Sequence, residues 1–125
     1  LWTGDRLKGR RERKSMRFFY LIGNHSFALA WSIWFGKKFD TLCGSKIFPT
    51  NLLDSCPVSI KSIDPFGDFA LISAAYLAGY SVMYMPVHYL PRKYGVTNIN
   101  RWSDGFTLLK IYFNFILVAL WKRNK

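Results

Sequence analysis

The stretch DPFGDFALISAAYLAGYSVMYMPV, residues 64–87, reads as a helix that runs almost directly into a strand. Phe69, Ile72, Ala75 and Tyr76 fall at i, i+3, i+6 and i+7, which is the spacing of one helical face. Gly79 stands where that periodicity ends, and glycine closes a helix with the least steric penalty. From Ser81 to Val87 the pattern becomes a weak alternation that ends near Pro86, as expected of a buried strand close to its exit. A helix feeding such a strand predicts part of a βαβ arrangement, and with it an α/β fold.

Working upstream, residues 42–48 are short enough for a strand, and residues 51–57 read as a turn or short helix. Residues 16–35, MRFFYLIGNHSFALAWSIWF, form an aromatic-rich run closed by Gly36, Lys37 and Lys38, a helix stop. Arg17, Gly23, Asn24, His25 and Ser26 interrupt it, so a helix lying in a membrane interface fits better than a span. His25 is isolated there and reads as a hydrogen-bonded structural residue.

Downstream, residues 92–100 are polar, basic and glycine-containing, and read as a loop. Ser103 or Asp104 is a candidate N-cap for a helix over 105–121, FTLLKIYFNFILVALW being apolar nearly all round. Lys110 and Asn114 share one of its faces. Trp121 beside Lys122, Arg123 and Lys125 is the aromatic-and-basic pairing of a membrane interface. A membrane-lying helix is expected, with a truncated transmembrane helix and a soluble core helix as the alternatives.

The chain has 125 residues, half of them hydrophobic and 18% aromatic, which suits one small folded domain and excludes a disordered chain. Its formal charge of +11 calls for an anionic counterpart: nucleic acid, a lipid headgroup surface or a phosphate-bearing substrate. The aromatics cluster in long apolar runs instead of alternating with Arg and Lys, which argues against nucleic acid. Cys43 and Cys56 lack the close spacing of a zinc knuckle or redox dithiol and read as reduced thiols. The sequence opens on Leu1 as if in mid-strand and is read as a fragment or processed product.

Three stretches carry the polar chemistry. In Asp40-Thr41-Leu42-Cys43-Gly44-Ser45-Lys46, a Gly-Ser pair lets backbone N–H groups approach a ligand, and Lys46 can meet a phosphate; a tight turn before a strand explains the residues equally well. In Asp64-Pro65-Phe66-Gly67-Asp68, Asp68 falls in the first helical turn. There it either complements the helix dipole or takes a proton from an acceptor hydroxyl. In residues 86–98, Arg92 offers a planar fork, Lys93 a point charge and Gly95 the freedom to close over a phosphate, unless the loop is merely exposed.

Taken in order, DTLCGSKIF, DPFGDFALISAAYLAGY and MPVHYLPRKYGVTNINRWSDGFTLLK resemble the second half of family 2 glycosyltransferases, nearest the dolichyl-phosphate mannose synthase-like and polyprenyl-phosphate sugar transferase branch. Gly4-Asp5-Arg6 resembles that family's Gly-Ser-Arg element, which ends a central strand before a basic segment. The resemblance implies the C-terminal part of a GT-A type nucleotide-diphosphate-sugar transferase fold, residues 1–100, with amphipathic or membrane-interface helices and a terminal helix over 101–125. It implies a basic loop at 5–17, an interface helix at 16–36 and a lid loop at 90–100.

The same resemblance implies roles. Asp68 takes the position of the family's acidic catalytic residue, although its neighbour is Gly67 instead of Glu. Arg92, Lys93, Tyr94, Gly95 and Thr97 form the loop that closes over the diphosphate and meets the acceptor phosphate. Gly44, Ser45 and Lys46 form the acceptor loop, and Arg6 lies near the acceptor phosphate. Implied partners are a nucleotide-sugar donor, a lipid phosphate or saccharide acceptor and the cytoplasmic face of a membrane, with no nucleic acid. A divalent metal, Mg or Mn, is implied for the full-length enzyme. Its Asp-x-Asp ligands have no counterpart in this chain, so the chain by itself is expected to be inactive. Asn100-Arg101-Trp102 carries only the Arg-Trp of the processive Gln-x-x-Arg-Trp motif, so transfer of a single sugar is expected. An enzyme acting on a cell-envelope saccharide and a non-catalytic basic membrane protein are the alternatives.

Overall fold

A computed structural model describes residues 1–8, 18–90, 93–95 and 100–124, with Arg101 described in its backbone alone. Strand β1 is Trp2–Asp5, helix α1 is Phe18–Phe35 and strand β2 is Lys46–Ile47. A 3-10 turn over Thr50–Ser55 and the short helix α2, Val58–Lys61, lead to helix α3, Asp68–Leu77. Strand β3, Met83–Pro86, and helix α4, Arg101–Arg123, complete the order.

The fold is mixed α/β, with β1 in the middle of a three-stranded sheet. It pairs antiparallel with β2, Trp2 opposite Ile47, and parallel with β3 from Trp2–Met83 to Asp5–Pro86. Parallel neighbours require a long crossover, and the helices between β1 and β3 provide it. Leu1 and Val82 join the core under the helices. Trp2, Ile47, Met83 and Met85 lie exposed on the sheet. The expectation that residues 81–87 form a buried strand is therefore corrected. β3 is an edge strand whose Met83 and Met85 remain 45% and 60% exposed, and Val82 just before it carries the burial. Residues 42–48 likewise shrink to the two-residue β2, because Asp40 bends the chain first: its Oδ1 accepts the Leu42 N–H at 3.1 Å.

Glycines end the helices where the sequence places them. Gly36 and Gly79 adopt φ of 69° and 76°, beyond the last turns of α1 and α3. The start of α3 has a device that the sequence reading passed over. Asp64 reaches forward, Oδ1 accepting the Phe66 N–H at 3.0 Å and Oδ2 the Ala70 N–H at 2.8 Å. The first bond turns the chain into the helix, and the second satisfies one of the donors that a helix start leaves open.

Helix α4 begins earlier than expected, and neither Ser103 nor Asp104 is its N-cap. Asn100 caps it, Oδ1 accepting from the N–H groups of Trp102 and Ser103, while Asp104 Oδ2 accepts the Asn100 N–H at 2.6 Å. This reciprocal arrangement fixes the start inside what reads as a loop. Leu108, Ile111, Phe115 and Ala119 then form the buried stripe of α4, at the spacing of one helical face.

The core is aromatic and centres on Trp31, which is fully buried. Its ring lies 4.5 Å from Phe115, 5.3 Å from Phe69 and 5.4 Å from Tyr112 between centroids, so one side chain joins α1, α3 and α4. A polar seam runs alongside: Trp34 Nε1 donates to Tyr112 Oη at 3.1 Å, and Tyr112 Oη donates to the Ala30 carbonyl at 2.9 Å. Edge-to-face ring pairs of this kind add about 0.5–1.5 kcal/mol each beyond area burial.

Candidate functional site

In open α/β sheets, ligands bind beyond the carboxyl ends of parallel strands. Here those ends belong to β1 and β3, and the chain is drawn tightly together at that edge. The Gly4 N–H donates to the Ser45 carbonyl at 2.8 Å, and the Val87 N–H donates to the Asp5 carbonyl at 3.1 Å. A Cβ on Gly4 would stand 2.9 Å from Cys43 Sγ and 3.3 Å from Val87 Cγ1. Only a glycine lets the 43–45 loop and the exit of β3 close on β1 at this point.

Directly after Gly4, Asp5 and Arg6 turn the chain. Asp5 Oδ1 accepts the N–H groups of Leu7 and Lys8 at 2.9 and 3.0 Å, while its Oδ2 is buried without a protein partner among the described residues. Arg6 bonds to the fully buried Asp40 through Nε at 2.6 Å and Nη2 at 3.1 Å, and its backbone N–H adds a contact at 3.2 Å. Burial works against the Arg6 charge, but the hydrogen bond and the negative charge of Asp40 outweigh it and raise its pKa. The Tyr89 ring, at the root of the 90–100 loop, lies 5.3 Å from the same guanidinium. Lys8 stands 3.9 Å over the Tyr84 ring on β3.

Lys46 and Asp68 form the second pair. The ammonium of Lys46 donates to Asp68 Oδ1 and to the Cys43 carbonyl. The Lys46 side chain is 2% exposed and that of Asp68 17%, so β2 is tied to the first turn of α3 at the margin of the interior. Gly44 and Ser45 remain exposed immediately beside this pair.

Lys46 meets Asp68, with Gly44 and Ser45 just before it in the chain; Gly4 bonds to the Ser45 carbonyl, and Arg6 is held by Asp40. Lys46 is committed to Asp68, and Arg6 to Asp40, so both cations act first inside the protein. Lys93, Tyr94 and Gly95 are exposed, and Gly95 has φ of 70°. Arg92 and Thr97, together with the basic segment beyond Lys8, lie outside the described residues. Sequence reasoning missed Asp40, which gives its carboxylate to Arg6. A buried acid just before a Gly-Ser turn has no periodicity to reveal it, and its partner Arg6 lies 34 positions earlier in the chain.

No family model, curated protein or solved structure matches the chain.

Proposed function

We propose that the chain is the acceptor-side portion of an inverting family 2 glycosyltransferase of the GT-A type. In this reading the enzyme moves a single sugar from a nucleotide sugar to a polyprenyl or dolichyl phosphate at the cytoplasmic face of a membrane. The observation that carries the reading is the convergence at Gly4. The glycine of the Gly-Asp-Arg element touches the acceptor loop at Cys43 and Ser45 and the root of the lid at Val87, while Lys46 of that loop holds Asp68. Stretches far apart in sequence, each resembling a functional element of that family, thus share one edge of the sheet.

The chemistry follows from these positions. A phosphate acceptor is already ionised and needs no general base, so Asp68 serves to orient it. A bare carboxylate would repel that phosphate, and the bonded Lys46 offsets the repulsion. The backbone N–H groups of the exposed residues Gly44 and Ser45 supply neutral donors to the phosphate oxygens. Arg92 and Lys93 stabilise negative charge on the departing diphosphate as the acceptor oxygen attacks the anomeric carbon in line and configuration inverts. The divalent metal of this reading finds no ligand set among the described residues, where no cluster of three His, Cys, Asp or Glu occurs. No step assigned to these residues runs through it.

The test is a titration of the isotope-labelled chain with a short polyprenyl phosphate, followed by amide NMR. Joint shifts at Gly44, Ser45 and Gly95 that the parent alcohol does not reproduce support the reading. Shifts confined to α1 and α4 favour a non-catalytic lipid-binding protein, for which the exposed apolar faces of those helices speak.

A further inference from the structure

We infer that α4 lies flat on an anionic bilayer surface instead of crossing the membrane, and that α1 completes the docking face. By length and composition α4 passes for a span: Trp102–Arg123 covers 22 residues, and an 18-residue window within it reaches a mean hydropathy of 1.4. At 1.5 Å per residue, such a helix matches the roughly 30 Å hydrocarbon core.

Its packing rules that orientation out. One face of α4 rests on the protein body over most of its length. Leu108, Ile111, Phe115 and Ala119 are all at most 6% exposed, and the helix packs against both α2 and α3. At its far end Lys122 donates to the Leu77 carbonyl, the last residue of α3. A perpendicular α4 would therefore drag its body through the hydrocarbon. That body carries the exposed Lys61 on α2 and Asp54 in the 3-10 turn. Charged groups are admitted there only when paired or facing a water-filled cavity.

The opposite face of α4 is apolar and exposed. Trp102, Phe106, Phe113, Leu117 and Trp121 are exposed along one stripe from end to end. Lys110 sits within that stripe on a flexible stem that can reach headgroups, and Lys122 and Arg123 close the helix. A tryptophan near each end, a lysine within the stripe and a basic helix end are what an interfacial helix presents to anionic lipid. Helix α1, joined to α4 through Trp34, Tyr112 and Ala30, exposes an apolar stripe of its own, Phe18, Ile22, Leu29 and Ile33. Lys37 and Lys38 follow at its end. The chain's charge of +11 fits an anionic leaflet as the occupant. This inference does not rest on the glycosyltransferase reading.

The experiment uses the 125-residue chain with phosphatidylcholine vesicles and with vesicles containing phosphatidylglycerol. Single cysteines replacing Phe106, Phe113 and Leu120 carry an environment-sensitive dye, the native Cys43 and Cys56 being buried. Nitroxide lipids then report depth. Expected are binding that requires phosphatidylglycerol and weakens with salt, and one common shallow depth at all three positions. The double variant Phe113→Asp/Leu117→Asp should lose at least tenfold in vesicle partitioning with its circular dichroism unchanged. A depth maximum at 113 flanked by two shallow ends would mean a span and overturn the inference. So would a concentration-dependent dimer that buries these positions while vesicles go unbound.

Discussion

Lys46 and Asp68, 22 residues apart in the chain, form an ion pair that ties the start of β2 to the first turn of α3. The lysine side chain has almost no solvent contact, so the pair is structural before it is anything else. Removing one partner leaves the other charged and poorly solvated. Lys46→Met should lower stability by about 3 kcal/mol, the lower end of the cost of breaking a buried pair. The double replacement Lys46→Met/Asp68→Leu should recover most of that loss. Urea unfolding followed by tryptophan emission measures both, and additive losses would mean that the pair is not coupled.

Gly4 should accept no side chain. Its Cβ position is already filled from two directions, by Cys43 Sγ at 2.9 Å and Val87 Cγ1 at 3.3 Å. Gly4→Ala should cost about 1–3 kcal/mol, the range for overpacking. Adding Cys43→Ala removes the nearer obstacle and should restore part of it. A thermal melt in which Gly4→Ala matches the parent chain would mean that the junction is looser than the contacts indicate.

Two phenylalanines on α4 separate its faces. Phe115 is fully buried against Trp31, whereas Phe113 is 61% exposed. Phe115→Ala should cost about 3–5 kcal/mol, and Phe113→Ala should stay within about 0.5 kcal/mol in solution. Equal losses would refute the assignment of core and lipid faces.

The contrast between these helices explains how much could be read beforehand. The ends of α1 and α3 were legible because Gly36 and Gly79 follow apolar runs, and the left-handed turn is a local demand. The caps were less so. Asn100 and Asp64 act through hydrogen bonds to groups two to six residues away, and their neighbours Ser103, Asp104 and Pro65 offer equally plausible signals. β3 looked buried because Val82, Met83 and Met85 are all apolar, but its place at the edge of the sheet depends on pairing with a strand some 80 positions earlier. Within the candidate site, the sequence named Lys46 and Asp68 as separate groups. That they bond to each other, and that Arg6 is held by Asp40, is tertiary information.

Cys56 gives a prediction in pH. Burial raises its thiol pKa above the ordinary value, with Asp64 acting in the same direction and Lys61 opposing. The folded chain therefore keeps this proton in a range where the unfolded chain releases it. The associated stability is complete below the usual thiol pKa and is lost as pH rises through the folded value. Unfolding free energy should fall on the alkaline side, and Cys56→Ala should flatten that fall. An identical alkaline slope in the variant would remove Cys56 as its source.

The proposed acceptor site at the Gly4 junction is tested most directly by photo-crosslinking. A diazirine-bearing short polyprenyl phosphate is irradiated with the chain in detergent, and the adducts are located by peptide mass spectrometry. Labelling concentrated at residues 43–46 and 93–95, and suppressed by excess unmodified polyprenyl phosphate but not by polyprenol, is the expected result. Adducts found on α1 and α4 alone, with the same pattern from the neutral alcohol, would contradict an acceptor site at the carboxyl edge of the sheet.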